Sequence, residues 1–555
     1  ALKLNTTGAD NTGIGDEALA ANTTASYNTA LGRSSLGANT TGARNLAVGY
    51  QAGLANTTGT QNTFVGERAG LANTTADYNT AIGAASSMSN TTGHSNTAMG
   101  YLSLGANTTG DENVAIGRNA LDANTTANSN TAIGFSSLST NTTGANNTAI
   151  GRDSLFSNTT GHSNVAMGYS ASLLNTTGTS NVSMGFEALR ANTTATQNTA
   201  LGYKALKANT TGANNSALGA WSLQANTTGN TNTAFGVDAL SLNTTAHRNT
   251  AIGYSALKVS ARAGNSNASN TAVGFNAGVA TTTGVANVFI GSQSADANTT
   301  GSQNTAVGLG ALGGNTTASD NTAIGYYALT ANTTGANNVA VGKNSLLANT
   351  TGGDNNAFGN QSLDANTTGA FNTAIGQAAL SANTTASNNT AVGGNSLNAN
   401  TTGHSNVAVG KSALLANTTG AVNVALGMYA LQANTTAANN IAVGYNSLGA
   451  NLTGAANVAV GRDSLKTNTT GDNNVAMGMQ ALFSNTTASN NTAVGRDVLY
   501  TNTTGTDNVG IGRAALSQNT TASNNTAVGR DALAANITGA NNVAIGRNAL
   551  DANTT

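Results

Sequence analysis

Four histidines are the residues of this chain best suited to bind a metal or to transfer a proton: His94, His162, His247 and His404. All four occupy the same place in a 17-residue repeat, and neighbouring histidines lie at least four repeats apart. If one repeat advances by one strand spacing, that separation is about 19 Å, so no two of them can bind one metal ion. No pair of carboxylates recurs in a way that is typical of acid–base catalysis or of a calcium loop. The sequence therefore predicts a protein that is not an enzyme, with no catalytic residue, metal site or cofactor.

Aromatic side chains that recur at one position of the repeat form the candidate binding surface. Exposed rings can stack on sugars or on a partner protein, while packing beside the preceding glycine would explain them equally well. The candidates at the sixth repeat position are Tyr50, Tyr101, Tyr169, Tyr203, Tyr254, Tyr326 and Tyr445, and Trp221 lies at the seventh. An unknown surface receptor, either a glycan or a protein, would be their ligand.

The repeat that defines these positions fills nearly the whole chain. Asn11-Thr12-Gly13-Ile14-Gly15 recurs one repeat later as Asn28-Thr29-Ala30-Leu31-Gly32. Numbered from the first Asn, the consensus is N-(T/V)-A-(I/V/L/M)-G-x-x-(A/S)-L-x-A-N-T-T-(G/A)-x-x. The spacing is constant, except that the interval between Asn249 and Asn270 is four residues longer than the others. We call each copy a coil and number its positions from this consensus below.

The composition of the repeat favours β-structure. A repeat of this length is too short for the paired helices of helical repeats. The Gly in every copy and the two Asn in nearly every copy oppose helix formation. Small and β-branched residues between turn residues are typical of short strands. We therefore expect an all-β fold, a parallel β-solenoid or β-roll of about 32 coils, which at the usual strand spacing would be a rod of roughly 150 Å. The expected organisation is one continuous rod, with β-solenoid repeats over 1–257, an irregular coil with a loop insertion over 258–269, and repeats over 270–555.

Two unusual coils predict which side chains fill the lumen. Position 3 is usually Ala and is Phe only at Phe64 and Phe289. Position 9 is nearly always Leu, but it is small both in the coil before each Phe, at Gly53 and Gly278, and in the same coil as each Phe, at Gly70 and Ala295. Such an exchange of large for small residues indicates that both positions share one cavity. Positions 3 and 9 are therefore expected to fill the lumen, and positions 2 and 4 to form a second apolar face.

The second face predicts self-association. Position 4 is apolar in every coil, and a continuous apolar stripe of that length is too large an exposed patch for a soluble monomer. Cyclic symmetry would bury it, so we expect a homo-oligomer, either a homotrimer or a filament. The alternative is a monomer whose lumen also accommodates position 4.

Charge and composition exclude several other partners. The net charge of −1, with 7% charged residues, gives no electrostatic basis for binding nucleic acid or an anionic membrane. No apolar run approaches the roughly 20 residues of a membrane-spanning helix, so we expect no membrane insertion by this segment.

The chain ends within a repeat at Thr555, and we expect it to be a mature or truncated piece of a longer protein.

Two segments of the repeat resemble the repeats of known fibrous proteins. The segment Ala149-Ile150-Gly151-Arg152-Asp153-Ser154 resembles the head repeats of YadA-type trimeric autotransporter adhesins, which have a V-A-I-G-x-x-S-x-A pattern. The alternation of N-T-A-I-G with N-T-T-G is similar to the shaft repeats of phage tail fibres. The resemblance covers essentially the whole chain, although the repeat is longer and more regular here than in those adhesin heads. It implies a homotrimer of left-handed parallel β-rolls, exposed outside a cell or on a virion.

These observations predict a non-enzymatic extracellular structural fibre shaft, a cell-surface adhesin or appendage that presents a binding end away from the surface. The alternative is a phage tail-fibre shaft for host recognition. A minor alternative is an ice-binding solenoid, which would use the Thr residues at positions 13 and 14, such as Thr40 and Thr41. Adjacent strand residues point to opposite faces, so only one row of Thr is expected to face outward.

Overall fold

The computed structural model describes residues 1–260 and 266–555, which form two compact units, Ala1–Thr283 and Gly284–Thr555. In each unit, three-residue strands at positions 2 to 4 of the repeat stack as a parallel β-solenoid. The described residues contain no helix. The predicted all-β parallel β-solenoid with one coil per repeat is therefore confirmed. Part of the predicted loop insertion, including Arg262, lies outside the described residues.

The strands have the same length throughout. Those of the first unit are β1 (Thr12–Ile14), β2 (Thr29–Leu31), β3 (Leu46–Val48), β4 (Thr63–Val65), β5 (Thr80–Ile82), β6 (Thr97–Met99), β7 (Val114–Ile116), β8 (Thr131–Ile133), β9 (Thr148–Ile150), β10 (Val165–Met167), β11 (Val182–Met184), β12 (Thr199–Leu201), β13 (Ser216–Leu218), β14 (Thr233–Phe235), β15 (Thr250–Ile252) and β16 (Thr271–Val273). Those of the second unit are β17 (Val288–Ile290), β18 (Thr305–Val307), β19 (Thr322–Ile324), β20 (Val339–Val341), β21 (Asn356–Phe358), β22 (Thr373–Ile375), β23 (Thr390–Val392), β24 (Val407–Val409), β25 (Val424–Leu426), β26 (Ile441–Val443), β27 (Val458–Val460), β28 (Val475–Met477), β29 (Thr492–Val494), β30 (Val509–Ile511), β31 (Thr526–Val528) and β32 (Val543–Ile545).

Each strand pairs with the same positions of the next strand in its unit. Thr12 lies opposite Thr29, and Ile14 lies opposite Leu31. The register is also kept across the longer interval, where Thr250 lies opposite Thr271. The longer interval therefore does not change the register of the strands on either side of it.

The lumen contains the side chains that the two Phe coils predicted. Ala30 at position 3 and Leu36 at position 9 have no solvent exposure, and Phe64 is only 1% exposed. A β-carbon added to Gly53 would lie 2.6 Å from Cδ2 of Phe64, so the missing side chain makes room for the ring. The assignment of positions 3 and 9 to the lumen is confirmed, and position 8, such as Ala52, is buried with them.

Glycine at position 5 is required by the backbone. Gly32 has a φ of 134°, and a β-carbon there would lie 2.5 Å from the carbonyl oxygen of Gly49 in the next coil. A φ near 130° and the close approach of the next coil's backbone therefore both favour glycine at this turn, because a β-carbon would be strained by the first and would clash with the second.

Positions 7, 9 and 17 also have positive φ, although glycine is rare there. Examples are Gln51 with a φ of 56°, Leu36 with 48° and Tyr27 with 65°. A left-handed Leu is unfavourable by itself. In this fold the N–H of Leu36 donates to the carbonyl oxygen of Ala52 in the next coil at 3.0 Å, and the side chain is buried. Bonds between coils and burial of Leu therefore offset the strain.

Buried asparagines join the coils through two amide ladders. At position 12, Nδ2 of Asn39 donates to Oδ1 of Asn22 at 3.0 Å and to the carbonyl oxygen of Gly42 at 2.9 Å. At position 1, Oδ1 of Asn28 accepts the backbone N–H of Asn45 at 2.9 Å. These amides have little or no solvent exposure, so each ladder satisfies polar groups that would otherwise be costly to bury.

Candidate functional site

The outward face of the strands is apolar and uncovered. Position 4 side chains are partly exposed, with Leu218 48%, Phe235 40% and Ile375 42% accessible. The alternative in which the lumen takes in position 4 is therefore wrong, because residues 3 and 4 of the repeat point to opposite sides of a strand. We call the surface formed by positions 2 and 4 of the strands in each unit the strand face. No charged residue occurs at either position in any coil.

All the predicted aromatic site residues are at the surface, with exposures of 39–50%. The structure brings some of them together. Phe186 stacks between Tyr169 and Tyr203, with ring centroids 5.3 Å apart on each side, and Trp221 meets Tyr203 edge-on at 5.7 Å. The guanidinium of Arg152 lies 5.9 Å from the Tyr169 centroid.

This stack continues to Tyr101 through alternating cations and rings. Arg152 lies 5.5 Å from the ring of Phe135, and Arg118 lies 5.9 Å from Phe135 and 5.8 Å from Tyr101. We call position 6 from Tyr101 to Tyr203 the aromatic column. Within it, most ring faces lie against a ring or a guanidinium of a neighbouring coil. Since sugars stack on ring faces, the column is better suited to stiffen the coils than to bind a glycan.

The other candidates lie outside this column. Tyr254 stacks on Phe275 at 5.6 Å, whereas Tyr326 and Tyr445 make edge contacts with Tyr327 at 4.3 Å and with Tyr429 at 6.1 Å. Tyr50 is 39% exposed. The eight predicted residues thus form several local clusters and do not converge on one site.

Two of the four histidines at position 16 accept a hydrogen bond from the backbone of the preceding coil. Nδ1 of His94 accepts the backbone N–H of Asp77 at 3.0 Å, and Nδ1 of His247 accepts that of Asn230 at 2.8 Å. Among residues 1–260 and 266–555, no group of three or more His, Asp or Glu side chains could hold a metal ion.

Three aspartates at position 10 have an unusual electrostatic environment. Burial raises the pKa of Asp122, Asp296 and Asp364, and for Asp122 a hydrogen bond from Ser139 Oγ at 2.6 Å partly offsets that rise. They lie in coils far apart in the sequence. They therefore do not form a catalytic carboxylate pair.

The N-T-T segments expose threonine and hide asparagine. Position 12 is buried, whereas Thr41 at position 14 is exposed, and position 14 is Thr in every coil from Thr24 to Thr245. Thr40 at position 13 is half-buried, and its Oγ donates to the carbonyl oxygen of Thr57 at 3.1 Å. The segment is not part of a strand. The sequence predicted that only one row of Thr faces outward, on the argument that side chains alternate along a strand. Only position 14 is fully exposed, but the reason is that the position 13 hydroxyl is hydrogen-bonded to the next coil.

A cleft in the second unit was missed by the sequence analysis. It has a volume of about 650 Å³, and its lining includes Arg496, Asp497, Tyr500, Ser517, Gln518 and Ile537. Tyr500 stacks on Phe483 with centroids 5.1 Å apart. Aligning position 10 between coils would have shown this pair, and aligning position 6 would have shown the run of arginines from Arg496 onward.

The fold defines the chain as a β-solenoid repeat protein. No protein-family model matches it, and no curated protein shows significant similarity to it. In the part of the chain that the structure describes, no helix could cross a lipid bilayer.

Proposed function

We propose that this protein is a non-enzymatic extracellular fibre shaft, in which three copies of the chain associate as left-handed β-solenoids. The shaft belongs to a cell-surface adhesin or appendage and holds a binding end away from the surface. The observation that carries this proposal is the apolar strand face of each unit. The resemblance of the repeats to YadA-type adhesin heads supports the trimer and the extracellular location.

The size of the strand face supports burial in an assembly. In each unit, every strand adds one apolar side chain at position 4, which is at least partly exposed, and one Thr, Val or similar residue at position 2. A typical soluble monomer exposes apolar patches of only a few hundred Å². Water contact along such a row is unfavourable, and association would remove it.

The regularity of the strand face favours further copies of the same chain as its partner. A partner must present apolar side chains at the same interval of about 4.8 Å over many coils, and another copy does so in register. The absence of charge at positions 2 and 4 leaves nothing for an oppositely charged partner to recognise. Cyclic symmetry closes the assembly and leaves no strand face exposed.

Native mass spectrometry of the purified chain tests this assembly. We expect a species of three times the chain mass of 54.5 kDa. A monodisperse monomer at micromolar concentration would contradict the proposal. The alternative of a phage tail-fibre shaft makes the same mass prediction, so antibodies to the chain should separate the two by labelling either cell surfaces or virions.

A second candidate function is ice binding, which the exposed threonine row favours. Thr24, Thr41 and their equivalents up to Thr211 are exposed, and within the described residues no hydrogen bond to their Oγ atoms is found. The Thr at position 14 is kept even in a coil that lacks the buried Asn of position 12: Thr281 replaces that Asn, and Thr283 remains at position 14. The threonine row is therefore not simply a consequence of the asparagine ladder. A hydroxyl and a methyl at each coil would order water at a regular interval. Thermal hysteresis that is lost when several of these Thr residues become Lys would support it, and absence of hysteresis would eliminate it.

A further inference from the structure

The strongest unexplained surface feature is a run of arginines in the second unit. Position 6 carries Arg in four consecutive coils: Arg496, Arg513, Arg530 and Arg547. We call these residues the arginine column. The strands β29–β32 that precede them pair directly with one another. Successive arginines are therefore about 4.8 Å apart along the solenoid.

Stacking like charges at this distance is unfavourable, and the fold compensates only every second arginine. Nε of Arg496 lies 3.0 Å from Asp497 Oδ2, and Nε of Arg530 lies 2.9 Å from Asp531 Oδ2. Arg513 and Arg547 are followed by Ala514 and Asn548, and they form no ion pair with the described residues. The column thus carries excess positive charge that gives no evident structural benefit.

The ion pairs of Arg496 and Arg530 involve only the Nε atom of each guanidinium. Because Asp497 and Asp531 contact Nε, the two terminal nitrogens of each arginine remain available to a ligand. The side chains of Arg496 and Arg530 are 58% and 50% exposed. A guanidinium held in this way can donate two parallel hydrogen bonds to a carboxylate, sulfate or phosphate.

The neighbouring cleft provides a second kind of contact. Phe483 covers one face of Tyr500, and the next coil has Ser517 at position 10, which is too small to cover the other face. That face borders the cleft beside Arg496. It differs in this respect from the ring of Phe186, which has a neighbouring ring on both sides. An open aromatic face beside a row of cations suits a sugar that carries an anionic group.

We propose that the arginine column and the Tyr500 cleft together bind a linear anionic polysaccharide along the solenoid axis. The arginines contact the carboxylates or sulfates of successive sugars, and Tyr500 stacks on a sugar ring. Asp497 and Asp531 are positioning residues that orient the guanidinium groups. This binding lies on a different part of the coil from the strand face and does not depend on the number of chains in the assembly.

Titration of the full-length chain with polygalacturonate, dextran sulfate and neutral dextran tests the proposal. We expect one or both anionic polymers to bind, with affinity that falls as salt increases, and neutral dextran not to bind. The carboxylate and sulfate polymers distinguish the two possible anionic groups. Equal binding of neutral dextran, or no binding of either anionic polymer, would overturn the proposal.

Matched variants locate the site. Arg513→Gln should weaken binding roughly tenfold, as expected for loss of a charge-assisted hydrogen bond, whereas Arg33→Gln, at the same position of an early coil, should have no effect. Tyr500→Leu should weaken binding, and Phe186→Leu should not. If Arg33→Gln and Arg513→Gln weaken binding equally, the column is not the site. If inorganic polyphosphate binds as tightly as the polysaccharides and Tyr500→Leu has no effect, the surface recognises anions and not sugars.

Discussion

Phe64 and Gly53 share one cavity: a β-carbon placed on Gly53 would lie 2.6 Å from Cδ2 of the Phe64 ring. Gly53 belongs to the preceding coil, so the ring fills space that belongs to two coils at once. Gly70 in the same coil as Phe64 meets the opposite side of the ring. A large residue at position 3 is therefore accommodated only where position 9 is small on both sides.

This relationship predicts a compensating set of substitutions. Phe64→Ala alone should destabilise the protein by about 3–5 kcal/mol, since it leaves a cavity in the lumen. Adding Gly53→Leu and Gly70→Leu should recover that loss, because Leu occupies the same positive φ at Leu36. Urea unfolding, monitored by circular dichroism, compares the stability of the original chain, Phe64→Ala and the triple variant. If the triple variant is no more stable than Phe64→Ala, positions 3 and 9 do not share the cavity.

A second prediction concerns the strand face. Ile375→Lys should weaken the proposed trimer, because cyclic symmetry would bring three lysines together in an apolar interface. Like charges so placed cost several kcal/mol, which would weaken association by about a hundredfold or more. Gln377→Lys is the matched control, since Gln377 lies in the same coil and is exposed at position 6. Sedimentation equilibrium should show a smaller species for Ile375→Lys only; an unchanged mass for both variants would argue against an interface at the strand face.

A third prediction concerns the buried amide ladder. Nδ2 of Asn366 donates to Gly369 O at 2.9 Å and to Asn349 Oδ1 at 2.8 Å, and its Oδ1 accepts from Asn383 Nδ2 at 2.9 Å. Asn366→Ala should destabilise by about 1–3 kcal/mol for each partner left unsatisfied. Thr368→Ala, at the exposed position 14 of the same coil, should change stability little. Thermal unfolding of both variants provides the comparison, and equal effects would show that the ladder is not the source of the stability.

A fourth prediction follows from the pKa of Asp364. Burial raises the pKa of its carboxyl, and its Oδ1 atom has no hydrogen-bond partner within the described residues. The folded protein therefore holds the proton more tightly than the unfolded chain. The resulting stabilisation is complete below the unfolded pKa of 3.8 and is lost as pH rises through the folded pKa.

Asp364→Asn should remove this dependence and make the protein more stable at neutral pH than the original chain. Asp354→Asn, at an exposed position of the preceding coil, serves as the control. Unfolding midpoints measured between pH 3 and pH 7 on the three proteins test the sign. A stability difference between Asp364→Asn and the original chain that stays constant with pH would contradict it.

The amino-acid sequence by itself determined the period, the strand positions and the contents of the lumen. Regular spacing places Gly at position 5 and Asn at position 1 in every coil, and Asn at position 12 in nearly every coil. The coils with Phe at position 3 have small residues at position 9 because a packed cavity must conserve volume. It also showed that position 4 is apolar everywhere. These features depend on side-chain size and local turn preference, which can be compared between coils of one chain.

Only the tertiary structure decided the backbone conformation of the turns and the packing of the surface aromatic rings, because both depend on contacts between coils. Leu36 adopts a positive φ that its own preference disfavours, since a hydrogen bond to the next coil and burial outweigh local strain. The rings at Tyr169, Phe186 and Tyr203 cover one another only because the register stacks them. The open face of Tyr500 likewise arises because the next coil carries Ser517. The direction in which a side chain points was thus set by its neighbours in the adjacent coils, and position within the repeat alone could not reveal it.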